Sequence, residues 1–419
     1  MIIRNGRVVD PLNGVDEIRD VYIQNGRIQA SLPNGIAQIF DATGMLVVPG
    51  LVDLHVHFRE PGFEHKEDIL TGSRAAARGG FTTVCCMPNT SPVIDSRELV
   101  ELVLKKGSEA GRVKLRVAGA LSKGLGGLEA ADYAGMAENG AVAFSDDGKT
   151  LMDEEIMLAA ARRIKEIGLF ISDHAENHDA NKGGVVNDGE VARKLGLVGI
   201  ANSVESDIVK RDIEIARQTG CRMHLQHIST AESVELIRQA KKDGLPVTAE
   251  AAPHHFALTQ DALLVHGANA KMNPPLRTEA DRLAIVGGIK DGTIEVIATD
   301  HAPHSDNEKA QSIETAPFGI VGLETAFSVS YTNLVLGGHI SLNRLIELMS
   351  VNPAQMLKVK HGLHAGAIAD VTVFDIRNEH VIDKNDFVSK GKNTPFDGQT
   401  VYGRTVLTVC DGEITYDGF

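Results

Sequence analysis

Short apolar segments alternate with helical stretches eight times between residues 51 and 300, and few folds are open to a chain patterned in that way. The apolar segments fall at roughly 51–57, 82–88, 114–119, 141–146, 169–174, 222–227, 246–252 and 294–300. Helical stretches such as Asp153 to Ile167, Val204 to Gln218 and Thr230 to Asp243 lie between them, the last stopped by Gly244. Strands joined by crossover helices run parallel. Eight such units predict a closed (β/α)8 TIM barrel, in which working residues gather at the C-terminal ends of the strands. The stretch from Pro253 to Asp291 reads as an enlarged loop after the seventh strand, and helices to about Leu357 close the domain.

The two chain ends are patterned differently. Asn-Gly pairs at 5–6 and 25–26 are hairpin signals, and alternating segments return at Ala369 to Asp375 and Val406 to Ile414. They predict one small β-sandwich built from both ends, residues 1–48 and 361–419, around a barrel spanning 49–360. The class is α/β.

A net charge of −14 argues against nucleic acid or an anionic membrane as partner, because both demand a basic face. A small-molecule substrate is expected. Cys85, Cys86, Cys221 and Cys410 show no CxxC spacing, which fits a reduced compartment. Met1 leads straight into Ile2-Ile3-Arg4, with neither a signal segment nor an apolar run of membrane length, so the expected location is the cytoplasm.

The strand ends carry the chemistry. Side chains alternate faces along a strand, so His55, His57 and Arg59 share one side at the end of the first. Neutral imidazoles side by side suit a metal ion, and an arginine just beyond them can clamp a carboxylate with its planar fork. Strand 4 ends in Ser145-Asp146-Asp147-Gly148, strand 5 in Ser172-Asp173-His174, strand 6 in His224-Leu225-Gln226-His227 and strand 8 in Ala298-Thr299-Asp300-His301. Each alone is ordinary: a histidine satisfied by a carbonyl, or an aspartate capping the next helix. Together they predict a metal centre at one barrel mouth. Four histidines with one or two carboxylates exceed the needs of a single catalytic zinc, so two ions sharing a carboxylate are expected. Alternation alone leaves Asp146 and Asp147 equal as the shared ligand. His254 and His255, adjacent in a strand, would face opposite ways, and at most one could join the site. His224 reads as an ordinary buried histidine and His301 as a support behind the ligands.

The runs His55-Val56-His57-Phe58-Arg59-Glu60-Pro61-Gly62, Met87-Pro88-Asn89-Thr90, Lys271-Met272-Asn273-Pro274-Pro275-Leu276-Arg277, Ala298-Thr299-Asp300-His301-Ala302-Pro303-His304 and Ala316-Pro317-Phe318-Gly319 make the chain resemble the dihydroorotase family of the amidohydrolase superfamily along essentially its whole length. The resemblance implies two zinc ions per subunit: His55 and His57 hold one with Asp300, and His174 and His227 hold the other. Many amidohydrolases, such as hydantoinases and allantoinases, bridge their ions with a carboxylated lysine, whereas this chain has no lysine there before Lys149. The family match selects Asp147 as the bridge and leaves Asp146 as a helix cap or a supporting acceptor. It also implies that Asp300 is the catalytic proton carrier, that His57, Arg59, Asn89 and His304 meet a substrate carboxylate, and that Asn273 with the Phe318-Gly319 backbone holds the ring. The reaction implied is reversible cyclisation of N-carbamoyl-L-aspartate to L-dihydroorotate with loss of water, the third step of pyrimidine synthesis. A homodimer, and association with aspartate carbamoyltransferase, accompany that reading. Two rivals are a hydantoinase- or allantoinase-type cyclic-amide hydrolase, whose bridging lysine is missing here, and a non-catalytic scaffold, which would lack ligands that this chain keeps.

Overall fold

A computed structural model describes residues 1–32, 35 and 38–419. The amino-terminal strands are β1 (Ile2–Asp10), β2 (Val15–Gln24), β3 (Arg27–Gln29), β4 (Ile39–Asp41) and β5 (Leu46–Pro49). After a single residue, Gly50, the chain enters the barrel through β6 (Leu51–Val56), β7 (Phe81–Cys86), β8 (Lys114–Gly119), β9 (Ala141–Phe144) and β10 (Phe170–Asp173). The short pair β11 (Val186–Asn187) and β12 (Gly199–Ile200) forms a separate two-stranded sheet in the loop that follows. The barrel resumes with β13 (Arg222–Leu225), β14 (Val247–Ala251) and β15 (Val296–Ile297), and β16 (Val371–Val381), β17 (Thr400–Cys410) and β18 (Glu413–Asp417) finish the chain.

Each of the eight expected segments holds a strand, and neighbours in the ring pair in parallel. A parallel bridge between Val56 and His301 closes the ring, with the His57 N–H donating to the His301 carbonyl at 2.9 Å. Asp53 reinforces the seam by accepting from the backbone N–H groups of His55 and Thr299. The helices start and stop where capping chemistry says they should: Asp153 accepts from Ile156 N ahead of Glu154–Ile167, and Thr230 from Ser233 N ahead of Ala231–Lys242. Val52, Leu54, Cys85, Ala118, Ala143, Phe170, Val296 and Ala298, drawn from both sides of the ring, share one buried cluster, so the barrel interior is packed.

Both chain ends enter a single sheet of order β18-β17-β16-β5-β1-β2-β3, with β4 beside β1. Arg27 bridges Ile368, just ahead of β16, so the sheet curls and its two halves face one core containing Val21, Ile23, Val47, Val371, Val373, Leu407 and Val409. Asn25-Gly26 makes the expected hairpin turn between β2 and β3, and Asp411-Gly412 makes another between β17 and β18. The Asn5-Gly6 expectation is corrected. That pair lies inside β1 as a bulge, where the register against β2 shifts, and the β1–β2 turn falls at Pro11–Asn13 instead. Asn-Gly supplies positive φ, which a bulge uses as readily as a turn, and Asn5 has φ 60. No helix among the described residues is long and apolar enough to cross a membrane.

Candidate active site

His55, His57, Asp147, His174, His227 and Asp300 converge at the C-terminal mouth of the barrel, and all are buried. His55 Nε2 lies 3.2 Å from Asp147 Oδ1, and His57 Nε2 lies 3.5 Å from Asp147 Oδ2. Oδ1 of the same carboxylate also lies 3.8 Å from His174 Nδ1, which is 2.9 Å from His227 Nε2. Asp300 Oδ1 stands 3.0 Å from His57 Nε2 and 3.6 Å from His55 Nε2. Two compact ligand groups result, His55-His57-Asp147 and Asp147-His174-His227, and Asp147 belongs to both.

The two aspartates that alternation left equal have different partners. Asp146 turns away from the mouth and accepts from Leu121 N at 2.7 Å, Ser122 N at 3.0 Å and the Ser122 hydroxyl. It is therefore a brace for the loop after β8 and caps no helix. Burial opposes ionisation of Asp147, yet the neighbouring His55 and His57 hold its carboxyl well below the usual carboxylate range.

Supporting groups fix the histidine rings. His55 Nδ1 meets Glu250 Oε1 at 2.7 Å, and Glu250 Oε2 takes His224 Nε2 at 2.9 Å. Burial works against the Glu250 charge, but His55 and His224 hold the carboxyl down at about 2. His57 Nδ1 contacts Asn89 Oδ1 at 2.9 Å, and Asn89 Nδ2 donates to Asp147 Oδ2 at 3.0 Å. His174 Nε2 contacts Glu176 Oε2 at 3.1 Å, and that carboxylate also accepts from Asn273 Nδ2 at 2.7 Å. Glu250 and Glu176 were not singled out from sequence, although a lone carboxylate in the apolar run Thr248-Ala249-Glu250-Ala251 is a signal that could have found one of them. Arg59, His227 and Asp300 all have positive φ, at 60, 29 and 47 degrees, so three residues of the site hold strained backbone.

Whether such a set fits divalent ions is tested by what the protein leaves unpaired. His55 Nε2 is buried, has no hydrogen-bond partner among the described residues, and faces the Asp147 and Asp300 oxygens. Imidazole nitrogens and carboxylate oxygens converging in this way form a donor set that suits such ions.

Beside the two ligand groups lies a cavity of about 160 Å³ lined by His57, Arg59, Asn89, Asn273, His304, Phe318 and Gly319 among others. The structure thus brings every expected substrate residue to one space. His304 Nε2 is 2.7 Å from the Phe318 carbonyl, which can only accept, so that nitrogen carries the proton. Arg59 Nη2 is 3.4 Å from the same nitrogen, two donors that cannot satisfy each other, and the guanidinium's remaining anchor is the Pro303 carbonyl at 3.3 Å. Burial, with Arg59, Lys66 and Lys309 nearby, pushes the His304 imidazole down to about 2. In the Phe318-Gly319 backbone, the Gly319 N–H donates to Lys271 O at 3.0 Å and the Phe318 carbonyl is taken by His304, so the Phe318 N–H is the donor left unpaired among the described residues.

The strand placement of His254 and His255 is corrected, and neither belongs to the ligand groups. Both lie in the short helix Pro253–Ala257, both are buried, and His255 Nε2 contacts the Pro274 carbonyl at 3.0 Å. His301 stands behind the site as expected, with Nδ1 accepting from Gly322 N at 3.1 Å.

A family model described as dihydro-orotase-like matches residues 44–233. The chain is 46% identical to the dihydroorotase of Listeria monocytogenes, covering 99% of this chain and 98% of that protein. It is equally similar to the dihydroorotase of Pelotomaculum thermopropionicum, at 46% identity with the same coverage. Among solved structures, L-hydantoinase (dihydropyrimidinase) from Arthrobacter aurescens matches with a TM-score of 0.87 at 27% identity, covering 100% of this chain and 96% of that one.

Proposed function

Because this chain belongs to the dihydroorotase family, we propose that it interconverts N-carbamoyl-L-aspartate and L-dihydroorotate, a step of pyrimidine biosynthesis. It is a metal-dependent cyclic amidohydrolase. The observation that carries the reading is that Arg59, Asn89 and His304 line the same cavity as both ligand groups, so a carboxylate reader sits beside a metal-capable mouth.

In this reading His55, His57 and Asp300 would hold one ion, His174 and His227 the other, and Asp147 would bridge them, with zinc at both. Bound ions there supply Lewis acidity, lowering the pKa of water and polarising the ring carbonyl. Arg59 binds the substrate carboxylate, helped by Asn89 and by His304, whose backbone Asn393 holds at 3.1 Å. Asn273 and the Phe318 N–H orient the ring. In hydrolysis Asp300 takes the proton of the attacking water and delivers it to the ring nitrogen as the C–N bond breaks. In cyclisation it removes the carbamoyl N–H proton as that nitrogen attacks the side-chain carboxyl carbon, and a carboxyl oxygen leaves as water by taking that proton and a second one from solution.

A hydantoinase-type hydrolase would share the barrel, and the assay separates the two. Zinc-loaded protein should turn over L-dihydroorotate and carbamoyl aspartate, and should prefer them strongly over dihydrouracil and hydantoin. Loaded protein that leaves dihydroorotate untouched, or prefers the uncharged rings, overturns the reading.

A further inference from the structure

Asn393 lies outside the barrel's strands, in the segment between β16 and β17, yet its side chain ties together the two loops that shape the carboxylate end of the pocket. It is buried, and Nδ2 donates to the Ala302 carbonyl and to the Gly319 carbonyl, each at 3.0 Å. Oδ1 accepts from His304 N at 3.1 Å, and its own backbone carbonyl accepts from Val321 N at 2.9 Å. Two carbonyls on one side and an N–H on the other fix which way the amide points.

The neighbourhood is built to hold that tie. Lys309 Nζ, also buried, donates to Gly319 O at 2.9 Å, so both lone pairs of that carbonyl are engaged. Gly319 has φ 116, and a Cβ on it would lie 2.6 Å from the Ala302 Cβ, so the two loops touch at van der Waals limits. On the strap itself, a Cβ on Gly391 would lie 2.7 Å from the Pro303 Cβ. The strap is pinned on its amino-terminal side as well, where Glu324 accepts from Val388 N and Ser389 N, and Glu67 from the Ser389 hydroxyl.

We propose that Asn393 is a positioning residue for substrate binding: by locking the Ala302–His304 segment to Gly319 it sets the spacing between the carboxylate-reading groups, Arg59 and His304, and the Phe318 N–H. Arg59 depends on the same lock, because its Nε donates to the Pro303 carbonyl inside the segment that Asn393 holds. This rests on the dihydroorotase reading. Asn393 touches neither ligand group, so its removal should loosen substrate recognition while leaving the proton-transfer apparatus in place.

Asn393→Asp is the sharp variant, since it keeps the shape but turns an acceptor oxygen toward two carbonyls. In zinc-loaded protein the KM for L-dihydroorotate should rise at least about tenfold, kcat should fall less than KM rises, and metal content should match the wild type. If Asn393→Asp does not accumulate folded, Asn393→Ser and Gly391→Ala are measured in the same way. Wild-type protein inert toward dihydroorotate would overturn the functional reading. An active wild type whose variants show unchanged KM, or a loss mainly in kcat, would overturn the role of Asn393 and leave the reading standing.

Discussion

His55 Nδ1 lies 2.7 Å from Glu250 Oε1, a contact between the first and seventh strands of the barrel that decides which nitrogen of His55 faces the mouth. An ionised carboxylate only accepts, so Nδ1 donates to Glu250 and Nε2 is the nitrogen turned toward Asp147. Glu250→Gln should therefore weaken ion binding at the His55-His57 site by ~10–100-fold, the usual effect of losing a carboxylate behind a ligating histidine. Competition with a chromophoric chelator reads this directly. Equal affinities in wild type and variant would show that Glu250 only packs.

Asp147→Ala should deplete both ions, whereas Asp146→Ala should leave metal stoichiometry intact and lower Tm. Losing Asp146 strands the N–H groups of Leu121 and Ser122, at a cost of about 1–3 kcal/mol. Elemental analysis with thermal unfolding separates the two. The opposite pattern would make Asp146 the bridge.

Asp300→Asn retains a coordinating oxygen and loses the basic site. Metal-replete variant protein should turn over ~10²–10⁴-fold more slowly. Near-normal kcat at full occupancy would rule out proton transfer by Asp300.

Arg59→Met should lower kcat/KM for dihydroorotate by at least about a hundredfold, equivalent to ~2.7 kcal/mol, without changing metal content. Arg59→Lys should recover only part, because an ammonium keeps the charge without the fork. The two rate constants for dihydroorotate and dihydrouracil are compared in each protein. A preference that survives Arg59→Met would move carboxylate reading to Asn89 and His304.

Acid sensitivity should follow Glu176. Burial opposes its charge, but the hydrogen bond with His174 and that ring's charge hold the carboxyl at about 2, against ~4.3 in an unfolded chain. A depressed folded pKa means the stabilisation is fully present above ~4.3 and is lost as pH falls toward 2. In chelator-treated protein, the Tm gap between wild type and Glu176→Gln should be widest near neutrality and shrink steadily below about pH 4. A gap constant from pH 6 to pH 3 would contradict the assignment.

The barrel was legible because its strands carry continuous apolar runs and its helices carry caps, signals that lie within a dozen residues. The convergence of His55, His57, His174, His227 and Asp300 at the mouth was legible for the same reason: each lies at the end of a recognisable strand. Glu250 and Asn393 were not, since each acquires its role from tertiary contacts, Glu250 from a histidine 195 residues away and Asn393 from a carbonyl 91 residues away, whereas Glu176 lies two residues beyond its partner His174, past the strand end where periodicity no longer says which way a side chain turns. Asp146 and Asp147 differ only in which way each turns, which periodicity does not encode at a strand end. Asn5-Gly6 misled because bulges and turns draw on the same positive-φ chemistry.

β5, one residue upstream of the strand that bears His55 and leads into His57, pairs with β16 from the last fifty residues of the chain. During synthesis the histidines, the aspartates and the whole barrel emerge before the strand that clamps β5 and before the strap that carries Asn393. A nascent or truncated chain ending near Leu357 would contain every residue of the two candidate ligand groups while β5 still showed a bare edge and the pocket lacked the Asn393 tie. Such a chain is a hazard for edge-to-edge association. Completion of the tail thus covers the edge of β5 and delivers Asn393 to the pocket in the same step.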